Sequence, residues 1–194
     1  MYHMFTWLPP GTGMQMKSKS KKSFGLNRYR ARFSTPVGDI EAILSEDGIH
    51  AITWLEAEQG AVQPDHTEPN ARIKRLDSQL AVQLDEWFAG VRREFELDLQ
   101  PEGTQFQTRV WRHMESIPYG GKATYSEVAG AIGKPKAVRA VAAAIGANPI
   151  PVLIPCHRVI GKDGSLTGYN GGLRRKSWLL ALERQSSADY DGLG

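Results

Sequence analysis

A cysteine followed directly by a histidine and an arginine carries the clearest chemical potential in this sequence. Cys156, the only cysteine of the chain, is flanked by Pro155, His157 and Arg158. A single thiol makes neither an intrachain disulfide nor a four-cysteine zinc site. His157 could serve as a base and Arg158 favours the thiolate form, and both point to a nucleophile. Burial as a small apolar residue, the usual state of a free cysteine, is the other interpretation that the residues leave open.

The composition is that of a globular chain without a membrane segment. Hydrophobic residues make up 41% and charged residues 23% of the 194 residues, which is typical of one large or two small domains. No apolar stretch is long enough to span a bilayer, and residues 1–10 lack the pattern of a secretory signal. The unpaired cysteine fits a reducing compartment, so we expect an intracellular protein.

Charge is distributed unevenly along the chain. Residues 31–103 contain fifteen acidic and six basic residues, whereas residues 104–194 contain twelve basic and six acidic ones. A basic half is typical of a protein that binds a polyanion, most often nucleic acid. Ordinary surface charge would also account for an excess of this size.

The first half of the chain predicts a tail followed by a small mixed domain. Residues 1–26, rich in Gly, Pro, Ser and Lys, are predicted to be a disordered tail. Residues 27–100 predict a strand, a hairpin turning at Asp47-Gly48, a helix from Asn70 to Ala89 with Asn70 as its cap, and a last strand around residues 95–99.

The second half, residues 104–185, predicts a helical domain. Capping boxes at residues 104–107 and 124–127 begin two helices, and a third follows from Pro135 to Ala147. The last two form a helix-turn-helix pattern. The Asp163-Gly164 turn predicts a hairpin wing, and a final helix is expected to end near Glu183, before a tail at 186–194.

The helix after the turn is unusual because one of its faces is nearly all alanine. Val138, Val141 and Ile145 have core spacing, and the opposite face contains Ala140, Ala143, Ala144 and Ala147 with Arg139 at its edge. One base-edge reader is too few to specify a DNA sequence. The small face therefore either approaches a DNA backbone closely or packs inside the protein. Arg139 is either a solvated surface residue or a side chain that fills the gap left by a flipped nucleotide.

Several runs of residues match one family in order. They are Asn148-Pro149-Ile150-Pro151-Val152-Leu153-Ile154-Pro155-Cys156-His157-Arg158-Val159, Thr124-Tyr125-Ser126-Glu127-Val128-Ala129, Arg139-Ala140-Val141, Gly168-Tyr169-Asn170-Gly171-Gly172-Leu173 and Lys176-Ser177-Trp178-Leu179-Leu180. Over about residues 28–185 the chain thus resembles the 6-O-alkylguanine-DNA alkyltransferases, a DNA repair family.

The resemblance implies an α/β fold and a single-turnover activity. An N-terminal ribonuclease-H-like domain with a mixed sheet would precede a winged helix-turn-helix domain that binds the minor groove of double-stranded DNA. The protein, a monomer without a cofactor, would move an alkyl group from 6-O-alkylguanine or 4-O-alkylthymine to its own cysteine. No metal is expected, because the cysteine ligands of zinc-containing relatives are missing.

The resemblance also implies a role for each matched residue of the chemistry. Cys156 would be the alkyl acceptor, and His157 would act as its base through a water. Glu183 would orient His157, and Asn148 would brace the loop that carries Cys156.

The remaining matched residues would bind substrate. Tyr125 would contact the flipped guanine and rotate its phosphate, while Val159, Tyr169 and Asn170 would line the base pocket. Asn170 stands where serine is common, which bears on substrate preference alone. On the DNA, Arg139 would fill the vacated place in the stack beside Ala140 and Ala143.

Three other functions compete with alkyl transfer. A non-catalytic damage binder of the same family would lack the acceptor cysteine, which Cys156 argues against. A winged-helix transcription regulator needs base readers that the alanine-rich helix lacks. A cysteine hydrolase needs an oxyanion hole and usually a distant histidine, whereas His157 is adjacent.

Overall fold

The computed structural model describes residues 28–56 and 68–191, so the tail predicted for residues 1–26 lies outside the described residues. The chain begins with an antiparallel meander, β1 (Tyr29–Phe33), β2 (Ile40–Ser45) and β3 (Gly48–Trp54), in that spatial order. The predicted hairpin is confirmed. Successive side chains of a strand point to opposite faces, so every second side chain of β2, namely Ile40, Ala42 and Leu44, points into the core.

Helix α1 (Ala71–Phe88) covers this sheet. It begins where Asn70 Oδ1 accepts hydrogen bonds from the backbone N–H groups of Arg72 and Ile73, both at 3.0 Å, as the predicted cap requires. Its buried stripe repeats every three or four residues and consists of Ile73, Leu76, Leu80, Leu84 and Trp87.

The strand predicted around residues 95–99 is wrong, since only Leu99 pairs, in an isolated parallel bridge with Ile49. The outer edge of β3 is occupied by two different segments. Residues 98–100 bond to Ile49, while the N–H of Ile52 donates to Pro149 O at 2.8 Å. Residues 95–99 therefore cannot extend their pairing along β3, because Pro149 occupies the next part of its edge.

The second half contains α2 (Gln105–Glu115), β4 (Ala123–Thr124), α3 (Tyr125–Ala131), α4 (Val138–Gly146), a 3-10 turn (Cys156–Arg158), β5 (Val159–Ile160) and α5 (Leu173–Asp191). Both predicted capping boxes are present. Helices α3 and α4 pack together across a turn at Gly133, whose φ of +71° suits glycine. The predicted helix-turn-helix pair is confirmed.

The second helix of that pair begins later than its sequence predicted. Helix α4 starts at Val138 rather than at Pro135. The preceding residues instead form a turn in which the N–H of Ala137 donates to Lys134 O at 2.8 Å. A proline pushes the residue before it away from helical geometry, which favours this turn.

The predicted turn at Asp163-Gly164 is present, but the paired strands of the predicted hairpin wing are not found in the described part of the chain. Strand β5 pairs in parallel with β4, Ala123 facing Val159 and Thr124 facing Ile160. The turn beyond β5 closes on itself when the N–H of Gly161 donates to Ser165 O at 2.9 Å. Pairing with a strand about 35 residues earlier depends on tertiary packing and leaves no local pattern.

The last helix is longer than predicted. Helix α5 runs past Glu183 to Asp191, so residues 186–191 are helical rather than part of a tail. Residues 184–187 contain neither glycine nor proline, and Ser187 Oγ donates back to Glu183 O at 2.8 Å. Among the described residues, no helix has both the length and the apolar character needed to cross a membrane.

Replacement of the N-cap of α1 tests how much local capping stabilises the N-terminal half. We expect Asn70→Ala to lower the free energy of unfolding by about 1 kcal/mol, because two backbone N–H groups lose their acceptor. Asn70→Ser, which restores a capping oxygen, should recover most of that loss. Urea unfolding followed by circular dichroism measures both, and equal losses in the two variants would contradict the capping account.

Candidate active site around Cys156

The loop that carries Cys156 is held by one buried asparagine. Asn148, just beyond α4, accepts from the N–H of Ile150 at 3.1 Å and donates to Ile154 O at 2.8 Å. Its two hydrogen bonds close the loop from both sides, and its side chain also lowers the pKa of the Cys156 thiol. The role of Asn148 as the brace of this loop stays a prediction, and its two hydrogen bonds are the contacts that such a role requires.

The same loop contains an unusual backbone conformation. Val152 has a φ of +75°, in the left-handed region that β-branched residues rarely adopt. It is 1% exposed, and the turn around it is closed by the N–H of Ile154, which donates to Ile150 O at 2.9 Å. Such strain persists only where surrounding contacts impose it. The chain enters the 3-10 turn of Cys156 from this constrained loop.

His157 and Glu183 form a pair that is fully buried. His157 Nε2 lies 2.8 Å from Glu183 Oε1, and both side chains are 0% exposed. Burial lowers the pKa of His157 more than the neighbouring carboxylate raises it, so the imidazole is neutral near pH 7. Its proton then belongs on Nε2, facing the carboxylate, and Nδ1 keeps a free lone pair. The structure thus places a neutral imidazole of defined tautomer next to the thiol in sequence.

Arg158 turns the pair into a network that the sequence did not reveal. Its Nε and Nη2 donate to Glu183 at 2.9–3.1 Å, and its Nη1 donates to Ile117 O at 2.5 Å. The N–H of Gly120 donates to the same carboxylate at 2.9 Å. Burial raises the pKa of Glu183, but His157 and Arg158 together outweigh it and lower that pKa. Glu183 therefore remains an anion.

The thiol itself is protonated at rest. Cys156 is 6% exposed, and burial raises its pKa to about 11 against the opposing effects of Asn148, Lys176 and backbone N–H groups. The expectation that Arg158 favours the thiolate is wrong, because its guanidinium is directed to Glu183. A reaction at this thiol therefore needs a group that accepts its proton.

Lys176 is a site residue that periodicity alone would miss. It is 0% exposed, and its Nζ donates to Val159 O at 2.6 Å and to Thr167 O at 2.7 Å. Burial lowers its pKa, and the Cys156 charge raises it. Through these two hydrogen bonds the buried ammonium connects Val159 of β5 to the loop at Thr167. It therefore sets the distance between two segments that are predicted to line the pocket. Its only sequence signal was its place in a matched family run.

The residues predicted to line a base pocket lie around that lysine. Tyr125 Oη donates to Thr167 O at 2.9 Å, so the first residue of α3 is tied to the loop before Tyr169. Tyr169 is 8% exposed, and burial raises the pKa of its phenol, as does the nearby Cys156 charge. Asn170 is exposed, and the carbonyl of Val159 is already bonded to Lys176.

Helix α4 exposes part of its alanine face and buries the rest, so each of the two interpretations of that face holds for some of its residues. Arg139, Ala140 and Ala143 are exposed, whereas Ala144 is 3% exposed and belongs to the core. The indole N–H of Trp111 donates to Ala144 O at 2.8 Å, which places that side of α4 against α2. The solvent-facing surface of α4 is therefore narrower than the sequence suggested.

These features define a class of protein: a two-part α/β chain that joins a helix-turn-helix to a buried thiol, which is followed in sequence by a buried neutral histidine. Family models agree in both parts. The ribonuclease-like domain of 6-O-methylguanine DNA methyltransferase matches residues 28–101, and the DNA-binding domain of the same family matches residues 105–185.

Individual relatives extend the match over most of the chain. The methylated-DNA–protein-cysteine methyltransferase of Methanosarcina acetivorans is 43% identical over 155 residues, which are 80% of this chain and 97% of that protein. The constitutive enzyme of the same name from Bacillus subtilis is 40% identical over 165 residues, covering 81% and 96%. The chain belongs to the 6-O-methylguanine DNA methyltransferase family, as its sequence motifs predicted.

Solved structures agree with the fold. The O6-methylguanine methyltransferase of Mycobacterium tuberculosis matches with a TM-score of 0.69 at 36% identity, over 82% of this chain and 94% of that one. The OGT of the same organism in complex with DNA matches with a TM-score of 0.70 at 40% identity, over 80% and 92%. The predicted α/β fold class is confirmed.

The pH dependence of alkylation distinguishes a base-assisted thiol from an exposed thiolate. With free 6-O-benzylguanine we expect the second-order rate constant to be level between about pH 7 and 9, because neutral His157 is the active form, and to fall only below its lowered pKa. His157→Gln should react slowly and gain about tenfold per pH unit up to the thiol pKa.

His113→Gln, which replaces a half-buried histidine outside the site, is the matched control and should keep the level profile. A wild-type rate that climbs tenfold per pH unit through neutrality would contradict the role of His157 as base.

Proposed function

We propose that this protein repairs alkylated DNA by moving the alkyl group of 6-O-alkylguanine, and of 4-O-alkylthymine, to Cys156 Sγ, once per molecule. The observation that carries the proposal is the buried His157–Glu183 pair beside the only thiol, since it supplies a base where the resting thiol is protonated. The curated relatives are named as methyltransferases that act from methylated DNA to protein cysteine, which supports the same reaction.

The reaction balances with the groups present. Nδ1 of His157 accepts the Sγ proton through a water, and the freed electron pair forms the bond from sulfur to the alkyl carbon. The bond from that carbon to the base oxygen breaks, its electrons stay on the base, and the base takes up the proton that His157 accepted, which restores the unmodified base. The thioether left on Cys156 is stable, and no second thiol exists in the chain to remove the alkyl group.

DNA would be bound through the helix-turn-helix and its small-residue surface. Exposed Ala140 and Ala143 let α4 approach the minor groove closely, and Tyr125 at the start of α3 would contact the flipped nucleotide. Arg139 would occupy the space that the flipped base leaves. Few base-edge readers and a basic second half favour binding that is independent of sequence and weakened by salt.

A monomer without cofactor or metal suffices for this chemistry, because nucleophile, base and orienting carboxylate come from one chain. Double-stranded DNA as the substrate also suits an intracellular site of action. A transcription regulator is disfavoured by the small exposed face of α4, and a non-catalytic damage binder by the presence of Cys156 itself.

Intact-mass spectrometry tests the transfer. After mixing with DNA containing 6-O-methylguanine, the protein should gain roughly 14 Da on Cys156, one methyl group replacing one hydrogen. Cys156→Ala should show no gain and still bind the DNA. Repeated turnover with excess substrate would contradict the single-use mechanism, and absence of any gain in the wild type would overturn the proposed function.

Arg139→Ala tests base flipping separately from the chemistry at sulfur. Flipping costs a few kcal/mol, so we expect repair of duplex DNA to slow by about tenfold to a hundredfold. The reaction with free 6-O-benzylguanine, which needs no flipping, should be unchanged.

Arg184→Ala removes the same charge from an exposed position on α5 and is the matched control, with duplex repair expected near the wild-type rate. Equal losses on both substrates in Arg139→Ala would mean that Arg139 shapes the active site, and its role in the stack would have to be dropped.

A further inference from the structure

The N-terminal sheet reaches directly into the loop predicted to line the base pocket. Trp54, the last residue of β3, is 7% exposed and lies against Gly171. A Cβ at Gly171 would stand 2.5 Å from Trp54 Nε1 and 2.6 Å from Tyr169 Cε1, closer than real side chains allow. The backbone of this loop is therefore enclosed between an indole of the first domain and the phenol ring next to Cys156.

Arg175, in the first turn of α5, contacts both Trp54 and Gly171. Its guanidinium lies 5.0 Å from the centre of the Trp54 ring, in cation–π range. Its Nε donates to Val37 O at 3.0 Å, and its Nη1 donates to Gly171 O and to Glu56 Oε1, both at 3.1 Å. One side chain thus joins the β1–β2 turn, the end of β3 and the pocket loop.

Strand β3 also holds the other active-site loop. The N–H of Ile52 donates to Pro149 O at 2.8 Å, directly after Asn148, which closes the loop of Cys156. Two residues apart on one strand, Ile52 and Trp54 therefore contact both segments that flank the thiol. Because the strand is rigid, it sets the distance between them.

We propose that Trp54 and Arg175 are positioning residues that hold the Tyr169–Gly171 wall of the base pocket at its working distance from Cys156. This inference rests on the proposed function, because it treats the Tyr169 segment as the wall against which the alkylated base lies. Neither residue touches the reacting atoms. They act through the loop, so they govern binding of the base rather than the reactivity of the thiol.

The indole of Trp54 holds the loop by packing rather than by a hydrogen bond. Trp54 Nε1 and Tyr169 Oη are both buried, and neither makes a hydrogen bond of normal geometry within the described residues. Packing against Gly171 and the stack with Arg175 then account for most of the contact. A phenylalanine keeps both of these features, and alanine keeps neither.

The experiment is saturation kinetics with free 6-O-benzylguanine on full-length variants, at a temperature where circular dichroism shows each to be folded. Trp54→Ala should raise the half-saturating concentration by about tenfold or more, since displaced pocket walls bind the base poorly. The saturating alkylation rate should stay within about threefold of the wild type. Trp54→Phe should recover most of the affinity. Gly171→Ala should also raise half-saturation, and less than additively with Trp54→Ala, because both displace one loop.

Two controls separate positioning from stability and from thiol chemistry. Leu80→Ala removes a fully buried side chain of α1 and lowers the melting temperature, yet should keep wild-type half-saturation. Iodoacetamide, which needs no base pocket, should alkylate Cys156 of Trp54→Ala within about twofold of the wild-type rate. If Trp54→Ala does not fold, Arg175→Gln replaces it, with a rise in half-saturation of about threefold expected from the lost guanidinium contacts.

The inference would be overturned by a wild-type half-saturating concentration in a folded Trp54→Ala, or in Arg175→Gln where that variant replaces it. An equal rise of the half-saturating concentration in Leu80→Ala would also overturn it. A fall of the saturating rate alone would also overturn it, since the residues would then act on the thiol. A wild-type protein that 6-O-benzylguanine does not alkylate would overturn the proposed function instead, so the two failures are distinguishable.

Discussion

The buried carboxylate of Glu183 is the interaction on which the rest of the structure depends. A charge without water needs partners on every side, and breaking a buried pair costs about 3–5 kcal/mol. Glu183 receives hydrogen bonds from His157 and Arg158, which lie in the turn of Cys156, and from the backbone of Gly120, which lies between α2 and β4. Helix α5, the turn of Cys156 and the connection from α2 to β4 must therefore meet in one arrangement, and that arrangement orients the base.

Burial also explains why the thiol of Cys156 stays protonated before a substrate binds. A thiol whose pKa is raised to about 11 is protonated near neutral pH, which slows its reaction with oxidants and electrophiles, because these attack the thiolate. In the proposed reaction the neutral His157 takes that proton once a substrate lies in line. Under the proposed single use, a protonated resting thiol matters because each wrongly modified molecule is lost.

The N-terminal domain is more than a support for the DNA-binding half. The indole of Trp87, at the end of α1, lies edge-on to the His157 ring at 6.0 Å between centres, and β3 bonds to the loop before Cys156. One buried cluster joins both domains. The geometry of the thiol, its base and the predicted pocket wall thus depends on contacts that cross the domain boundary, which explains why a chemically silent sheet bears on the site.

The sequence by itself determined the features that arise from neighbouring residues. Each of these features depends on residues that are close together in the sequence. They are the cap at Asn70, the capping boxes, the hairpin of β2 and β3 and the Cys156-His157 pair. Tertiary structure alone decided the partner of Arg158, the raised pKa of Cys156, the parallel pairing of β5 and the length of α5. Burial and long-range hydrogen bonds exist only when distant segments pack, so no local pattern records them.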